Sequence, residues 1–101
     1  MVYSVQQIKF EIFGYVKEFG GQFDEWFVGI SSEPQKTLSE VHGVDKESDI
    51  WLYKQALTYS ACRTVQRYFL EKQSTDGLVP SESNENMDCV YLYKKSDRTT
   101  P

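Results

Sequence analysis

The residue best suited to acid–base chemistry is His42, the single histidine of this 101-residue chain. An imidazole titrates near neutral pH, so His42 is a candidate general acid or base. It also stands directly before Gly43, where the sequence predicts the end of a helix. A partly charged imidazole stabilises a helix C-terminus. The sequence favours this second role and leaves catalysis open.

Residues that could bind a metal are present but poorly arranged. Cys62 and Cys89 belong to no C-x-x-C pair and cannot complete a zinc set with one histidine. Asp45, Glu47 and Asp49 have the spacing that opens a calcium loop, but the central Gly and the closing Glu are missing. We therefore expect no metal and no cofactor. We also expect both thiols to be reduced and buried in a cytosolic protein.

Aromatic residues are the stronger functional signal, since they make up 15% of the chain. Large rings carry much burial energy, so we expect a ring-rich core with some rings left for a surface site. Side chains alternate along a strand, which places Tyr91 and Tyr93 on one face. Packing of the rings beneath the helices is the alternative to a binding surface. The candidate binding residues are Trp26, Trp51, Tyr53, Tyr91 and Tyr93.

Three helices are predicted to position these residues. A capping-box pattern begins the first helix at Ser4, and Gly20 ends it. Ser32 is the predicted cap of a second helix, which runs to Gly43. A regular apolar stripe predicts the third helix over 61–72.

Three segments account for the predicted strands. The short β-branched and aromatic runs at 25–30 and 89–95 are typical of strands. Segment 50–56 fits either a strand or a helix. These elements predict an α+β fold, in which about three helices pack on a small antiparallel sheet of two or three strands. Residues 1–96 form the expected single domain, and 97–101 form a flexible C-terminal tail.

The stretch 26–42 resembles the core of the GIY-YIG nuclease family. Phe27-Val28-Gly29 stands where that family has the second triplet, before a polar turn and a helix that ends at His42. Residues 60–69 are similar to the family's second helix, which carries a metal-binding Glu. The resemblance covers about half of the chain, and it implies a domain related to phosphodiester-cleaving enzymes.

The same comparison shows departures at the positions that matter for cleavage. A helix occupies the place of the first strand with its GIY triplet. Thr37 stands where the family has an Arg that stabilises phosphate charge, with Lys36 beside it. Gln66 stands where the family has a metal-binding carboxylate, and a neutral amide is a poor ligand for a hard cation. The resemblance therefore implies a degenerate domain whose nuclease chemistry is lost.

The main functional expectation is a non-enzymatic protein-interaction or regulatory domain. Its expected contact surface is the polar loop 73–88 together with Tyr91 and Tyr93. The net charge of −4 argues against nucleic acid as a partner, because phosphate binding needs a basic face. No apolar run is long enough to span a membrane, so we expect a cytoplasmic protein. A protein partner is expected, and a homodimer stays open.

Three alternatives stay open. The first is a divergent nuclease or phosphodiesterase that uses Tyr15, Lys36 and His42. The second is an acidic inhibitor that mimics nucleic acid, which would require the carboxylates to cluster on one face. The third is a small-ligand pocket lined by three of the candidate rings, Trp26, Trp51 and Tyr53.

Overall fold

A computed structural model describes residues 1–80 and 85–101 of the chain. The described residues form an α+β fold with three α-helices, which confirms the predicted class and helix number. The elements in chain order are β1 (Val2–Tyr3), α1 (Val5–Phe19), a 3₁₀ turn (Phe23–Glu25), β2 (Trp26–Ser31), α2 (Pro34–Glu40), β3 (Trp51–Ala56), α3 (Tyr59–Lys72), β4 (Asp76–Gly77) and β5 (Cys89–Lys94).

The strands form one mixed sheet in the order β1-β3-β5-β2-β4. Its centre is antiparallel, because β5 pairs with both β3 and β2 in that sense. The outer strands β1 and β4 each pair in parallel with their neighbour. The prediction of two or three antiparallel strands is therefore wrong in strand number and in sense at both edges. Strands of two residues are too short to show the alternation by which a sequence signals a strand.

The starts of two helices follow from local sequence. The Ser4 hydroxyl accepts a hydrogen bond from the Gln7 amide, and the Gln7 side chain accepts one from the Ser4 amide. This is the predicted capping box of α1. Thr58 caps α3 through the Ala61 amide. Gly20 follows α1 with a positive φ of 82°, a conformation that glycine adopts without steric cost.

Helix α2 differs from the prediction at both ends. Ser32 does not cap it, since its N-cap is Glu33, which makes no side-chain capping bond. The hydroxyl of Ser31 instead accepts the hydrogen bond of the Glu33 amide. The helix ends at Glu40 rather than at His42. The residues after it turn back towards the sheet, and the amide of Val44 donates to the Leu38 carbonyl.

The ambiguous segment 50–56 is a strand, and β3 pairs with β5 from Trp51 to Gln55. Both periodicities fitted the segment, and pairing with β5 decides between them. Alternation then separates its side chains between the two faces of the sheet. Leu52 packs in the core under α1 and α3, whereas Trp51 packs against the cluster on the α2 side.

Two apolar clusters lie on opposite faces of the sheet. The larger cluster fills the space beneath α1 and α3, and it contains Trp26, Val28 and Leu92. The smaller cluster lies on the α2 face. It consists of Phe27, Leu38, Val44, Tyr91 and Tyr93, with Trp51 packed against it.

Both cysteines are free and buried, as expected. Burial raises the pKa of the Cys62 thiol to about 12 and that of Cys89 to about 11, so both are protonated at neutral pH. Within the described residues, no helix combines the length and the apolar character that crossing a membrane requires.

Residues 96–100 fold back along the α2 face. The Thr100 amide donates to the carbonyl of His42, and the Arg98 guanidinium lies 2.7 Å from an Asp49 oxygen. The mobility of segment 97–101 stays a prediction. Residues 81–84, which belong to the predicted loop 73–88, lie outside the described residues.

Candidate functional site

His42 lies in a buried polar cluster on the α2 face of the sheet. It follows α2, and the turn back towards the sheet brings its ring against Phe27, with centroids 4.6 Å apart. Nδ1 is 2.7 Å from the Thr100 carbonyl oxygen, and Nε2 is 2.7 Å from the Tyr91 hydroxyl. The Tyr93 hydroxyl donates to the same Thr100 carbonyl at 3.2 Å. We call His42, Tyr91, Tyr93 and Thr100 the His42 cluster.

The hydrogen bonds of the cluster define the tautomer of His42. A carbonyl oxygen only accepts, so Nδ1 carries the hydrogen that is donated to Thr100. Nε2 then has the free lone pair and accepts from the Tyr91 hydroxyl. Burial lowers the pKa of His42 below its ordinary value of 6.5, and the bond to the Thr100 carbonyl opposes this only in part. Burial also raises the pKa of both tyrosines.

These contacts give His42 a structural role that differs from the predicted one, since burial favours the neutral ring over a partly charged imidazole at the end of α2. Each ring nitrogen is bonded within the protein, and the side chain is only 3% exposed. A general acid or base must reach the proton that it transfers. In the structure, neither nitrogen of His42 faces solvent, where such a proton would be reached.

The sheet separates two of the three candidate catalytic residues. Tyr15 lies on the α1 face, where its ring packs 6.0 Å from Trp26 and its hydroxyl donates to the Trp51 carbonyl. Burial raises its pKa, so the phenol stays protonated. His42 lies on the opposite face, and Lys36 is exposed on α2. The structure does not bring Tyr15 and His42 together.

The two positions where the GIY-YIG resemblance expects Arg and Glu hold side chains with local structural roles. The Thr37 hydroxyl is 2.7 Å from the Ser31 hydroxyl, and this contact ties α2 to the end of β2. Gln66 is fully buried on α3, where its amide donates to the carbonyls of Val28 and Leu78. Its carbonyl oxygen accepts from Arg63 at 2.8 Å.

The predicted binding rings fall into a buried group and a pair that lies closer to the surface. Trp26, Tyr91 and Tyr93 are each 5% exposed or less. Trp51 is half-buried, and Tyr53 is 36% exposed. The last two rings lie parallel at the surface of the α2 face, with centroids 6.4 Å apart and planes at 3°. We call them the Trp51–Tyr53 pair.

Polar contacts hold both rings of the Trp51–Tyr53 pair in place. The Trp51 indole donates to the Lys46 carbonyl at 2.9 Å. The Gln35 amide donates to the Tyr53 hydroxyl at 3.1 Å. The two rings are therefore held in a fixed, parallel arrangement by the 44–50 loop on one side and by α2 on the other.

The carboxylates of the described residues do not assemble into a metal site. Within residues 1–80 and 85–101, no group of three or more His, Cys, Asp or Glu side chains could hold a metal ion. Several carboxylates are instead paired with cations. Glu11 pairs with Lys54, Asp76 with Lys95 and Asp49 with Arg98 between distant segments, whereas Glu71 pairs with Arg67 within α3.

Sequence reasoning missed a groove on the outer face of α1. Phe10, Phe13, Phe23 and Lys17 line it beside Gly14, and its volume is about 560 Å³. The Phe10 ring at its edge is 75% exposed. The available signal was Phe10 and Gly14 themselves, since they stand four residues apart on one helical face.

Comparisons with known proteins add no relative. No protein-family model matches the chain, and neither a curated protein nor a solved structure matches it. The resemblance to GIY-YIG nucleases therefore stays a prediction.

Proposed function

We propose that this chain is a non-enzymatic protein-interaction domain that binds its partner through the Trp51–Tyr53 pair. The observation that carries the proposal is the parallel arrangement of the two rings at the surface, at 6.4 Å and 3°. Aromatic residues are enriched in protein interfaces because a rigid ring offers large contact area at small entropic cost.

The fixed orientation of the rings supports this use. The indole of Trp51 and the hydroxyl of Tyr53 are each bonded to a neighbouring element. Binding would then freeze few rotatable bonds, and ordering side chains is one of the main costs of association. Tyr91 and Tyr93 are buried, so the proposed surface uses Trp51 and Tyr53 in their place.

The placement of the candidate catalytic groups supports a non-enzymatic role. Tyr15 and His42 lie on opposite faces of the sheet, and both already make hydrogen bonds within the protein. An activated nucleophile needs its base within hydrogen-bond reach. This pair does not provide that arrangement.

The test is affinity capture from cells with three variants. Tyr53→Ala removes the exposed ring, whereas Tyr53→Phe keeps the ring and removes only the hydrogen bond from Gln35. Leu57→Ala is the matched control, since Leu57 is 78% exposed just beyond β3. We expect one partner to be retained by the wild type, Tyr53→Phe and Leu57→Ala, and its capture to fall about tenfold or more with Tyr53→Ala.

Equal capture by Tyr53→Ala and the wild type would show that the pair is not the binding surface. Photo-crosslinking from position 53 gives an independent readout. A crosslink to a protein that the Tyr53→Ala variant fails to capture would support the proposal, and the absence of any crosslink would count against it.

A further inference from the structure

The outer face of α1 carries a protruding ring and a groove next to each other. The Phe10 ring protrudes and is 75% exposed. One helical turn further on, the groove lies beside Gly14, with Phe13 and Phe23 in its walls and Lys17 also in its lining. The inner face of the same helix is occupied by Ile8, Ile12 and Val16, which are buried in the core, and Val16 also borders the groove.

Gly14 is not required by packing inside the protein. A Cβ added there would meet no packed neighbour within 4 Å. Glycine within a helix costs about 0.5–1 kcal/mol relative to alanine. The missing side chain thus leaves the groove open at the expense of helix stability, while an exposed phenylalanine stands at its edge. Both features would be explained by an apolar group that enters the groove from outside.

We propose that this outside group is Phe10 of a second copy of the chain, so that the outer face of α1 is a homodimer interface. A two-fold interface must contain both halves of its own contact, because the same surface is used by both copies. The α1 face meets this requirement, since Phe10 and Gly14 are one turn apart. An antiparallel pair of α1 helices with the axis level with residue 12 sets each Phe10 opposite the other copy's Gly14.

The geometry of this pair is consistent with close contact. A rise of 1.5 Å per residue offsets the two Phe10 positions by about 6 Å along the helix axes, which leaves room for the two rings to lie side by side. The flanking residues also fit. The same pairing opposes Gln7 to Lys17 and Gln6 to Glu18, so no like charges meet on either side of the Phe10 rings.

This inference does not depend on the proposed function. The outer face of α1 lies on the opposite side of the sheet from the Trp51–Tyr53 pair. A dimer formed through α1 would therefore leave both copies of that pair exposed, and either proposal can fail without the other.

The test is sedimentation of the intact chain from about 1 µM to about 1 mM, a range that resolves weak and moderate dissociation constants. We expect a monomer–dimer equilibrium for the wild type. Phe10→Ala and Gly14→Leu should each weaken the dimer about tenfold or more. Val41→Ala is the control, because Val41 is 62% exposed on the α2 side of the sheet and should change nothing.

A size swap makes the test specific. In the double variant Phe10→Ala/Gly14→Leu, the large side chain stands at position 14 of one copy and faces the small side chain at position 10 of the other. We expect the dissociation constant to return to within about threefold of the wild type, a coupling expected only for residues in contact. Circular dichroism checks folding, which neither exposed substitution should disturb.

Three results would overturn the proposal. One is a wild-type chain that stays monomeric up to about 1 mM. The second is a dimer that survives both single variants unchanged. The third is a double variant that is no tighter than the weaker single variant.

Discussion

The Tyr91 hydroxyl donates a 2.7 Å hydrogen bond to Nε2 of His42, and both side chains are buried. Because Nδ1 donates to the Thr100 carbonyl, both nitrogens of the neutral ring are satisfied. A second proton on His42 would have to displace the hydrogen of the Tyr91 hydroxyl. The cluster therefore favours the neutral imidazole, and this preference links folding to pH.

Stability should decrease as the pH falls below about 6.5, the ordinary pKa of histidine. Burial lowers the pKa of His42 in the folded chain, so the unfolded chain takes up the proton first. The contribution of His42 to the free energy of unfolding is fully present above about pH 6.5, and it is lost as the pH falls towards the lower pKa of His42 in the folded chain. Urea unfolding at pH 7.5, 6.5 and 5.5 measures it. His42→Gln should remove this dependence, and an equal slope in both proteins would contradict the assignment.

Tyr91→Phe should destabilise the protein more than Tyr93→Phe. The first change leaves Nε2 of His42 buried without a donor, which costs about 1–3 kcal/mol. The second removes one of two donors to the Thr100 carbonyl and a 3.1 Å contact with Nδ1 of His42, but Nδ1 keeps its bond to that carbonyl, so the cost should stay near 0.5–1 kcal/mol. Chemical denaturation of both variants gives the comparison. A larger loss of stability for Tyr93→Phe than for Tyr91→Phe would contradict the proposed hydrogen-bond pattern.

Gly29→Ala and Gly14→Ala should change stability in opposite directions. A Cβ at Gly29 would lie 2.3 Å from Cζ of Tyr91, so the ring would have to leave its bond to His42. We expect a loss of about 2 kcal/mol or more, as for other forced rearrangements of a packed core. A Cβ at Gly14 meets open space and should add about 0.5–1 kcal/mol through helix propensity. Thermal unfolding at low protein concentration tests both signs.

Gln66→Glu should destabilise the protein by about 3 kcal/mol, because it replaces a buried donor by a buried carboxylate. The amide of Gln66 donates to the carbonyls of Val28 and Leu78, and a carboxylate would face both of them without a hydrogen to donate. The neighbouring Arg63 offsets only part of this loss. Gln73→Glu is the control at the C-terminal end of the same helix, where the half-buried side chain donates one hydrogen bond, to the Tyr68 hydroxyl, so its loss should be clearly smaller, about 1 kcal/mol. If Gln66→Glu leaves the free energy of unfolding unchanged, the Gln66 side chain does not make the hydrogen bonds described above.

Local patterns predicted much of the fold. Ser4 and Gln7 bond within four residues of each other, and β2 and β5 carry runs of β-branched and aromatic residues that signal extended structure without reference to the rest of the chain. The two-residue strands β1 and β4 could not be predicted in this way. They exist because Val2 and Asp76 reach the edges of a sheet formed by residues far away in sequence.

The candidate site was less predictable, because it depends on which face of the sheet each side chain reaches. Tyr15, Lys36 and His42 were grouped by residue type, but the sheet lies between Tyr15 and His42. The sequence does not distinguish Trp51 and Tyr53 from Tyr91 and Tyr93, since each pair consists of two aromatic residues two positions apart. Only the position of α2 over β5 and β2 makes one pair core and the other pair surface.

By itself, the sequence determined the fold class, the number of helices, the start of α1 and the positions of two central strands, β2 and β5. Each of these rests on interactions between residues close in the chain. Tertiary structure alone decided that segment 50–56 is a strand, that the edges of the sheet are parallel, which bonds His42 makes, and that Trp51 and Tyr53 lie towards the surface. These depend on contacts over tens of residues, such as that between His42 and Thr100, and no local pattern encodes which distant group will satisfy a buried nitrogen.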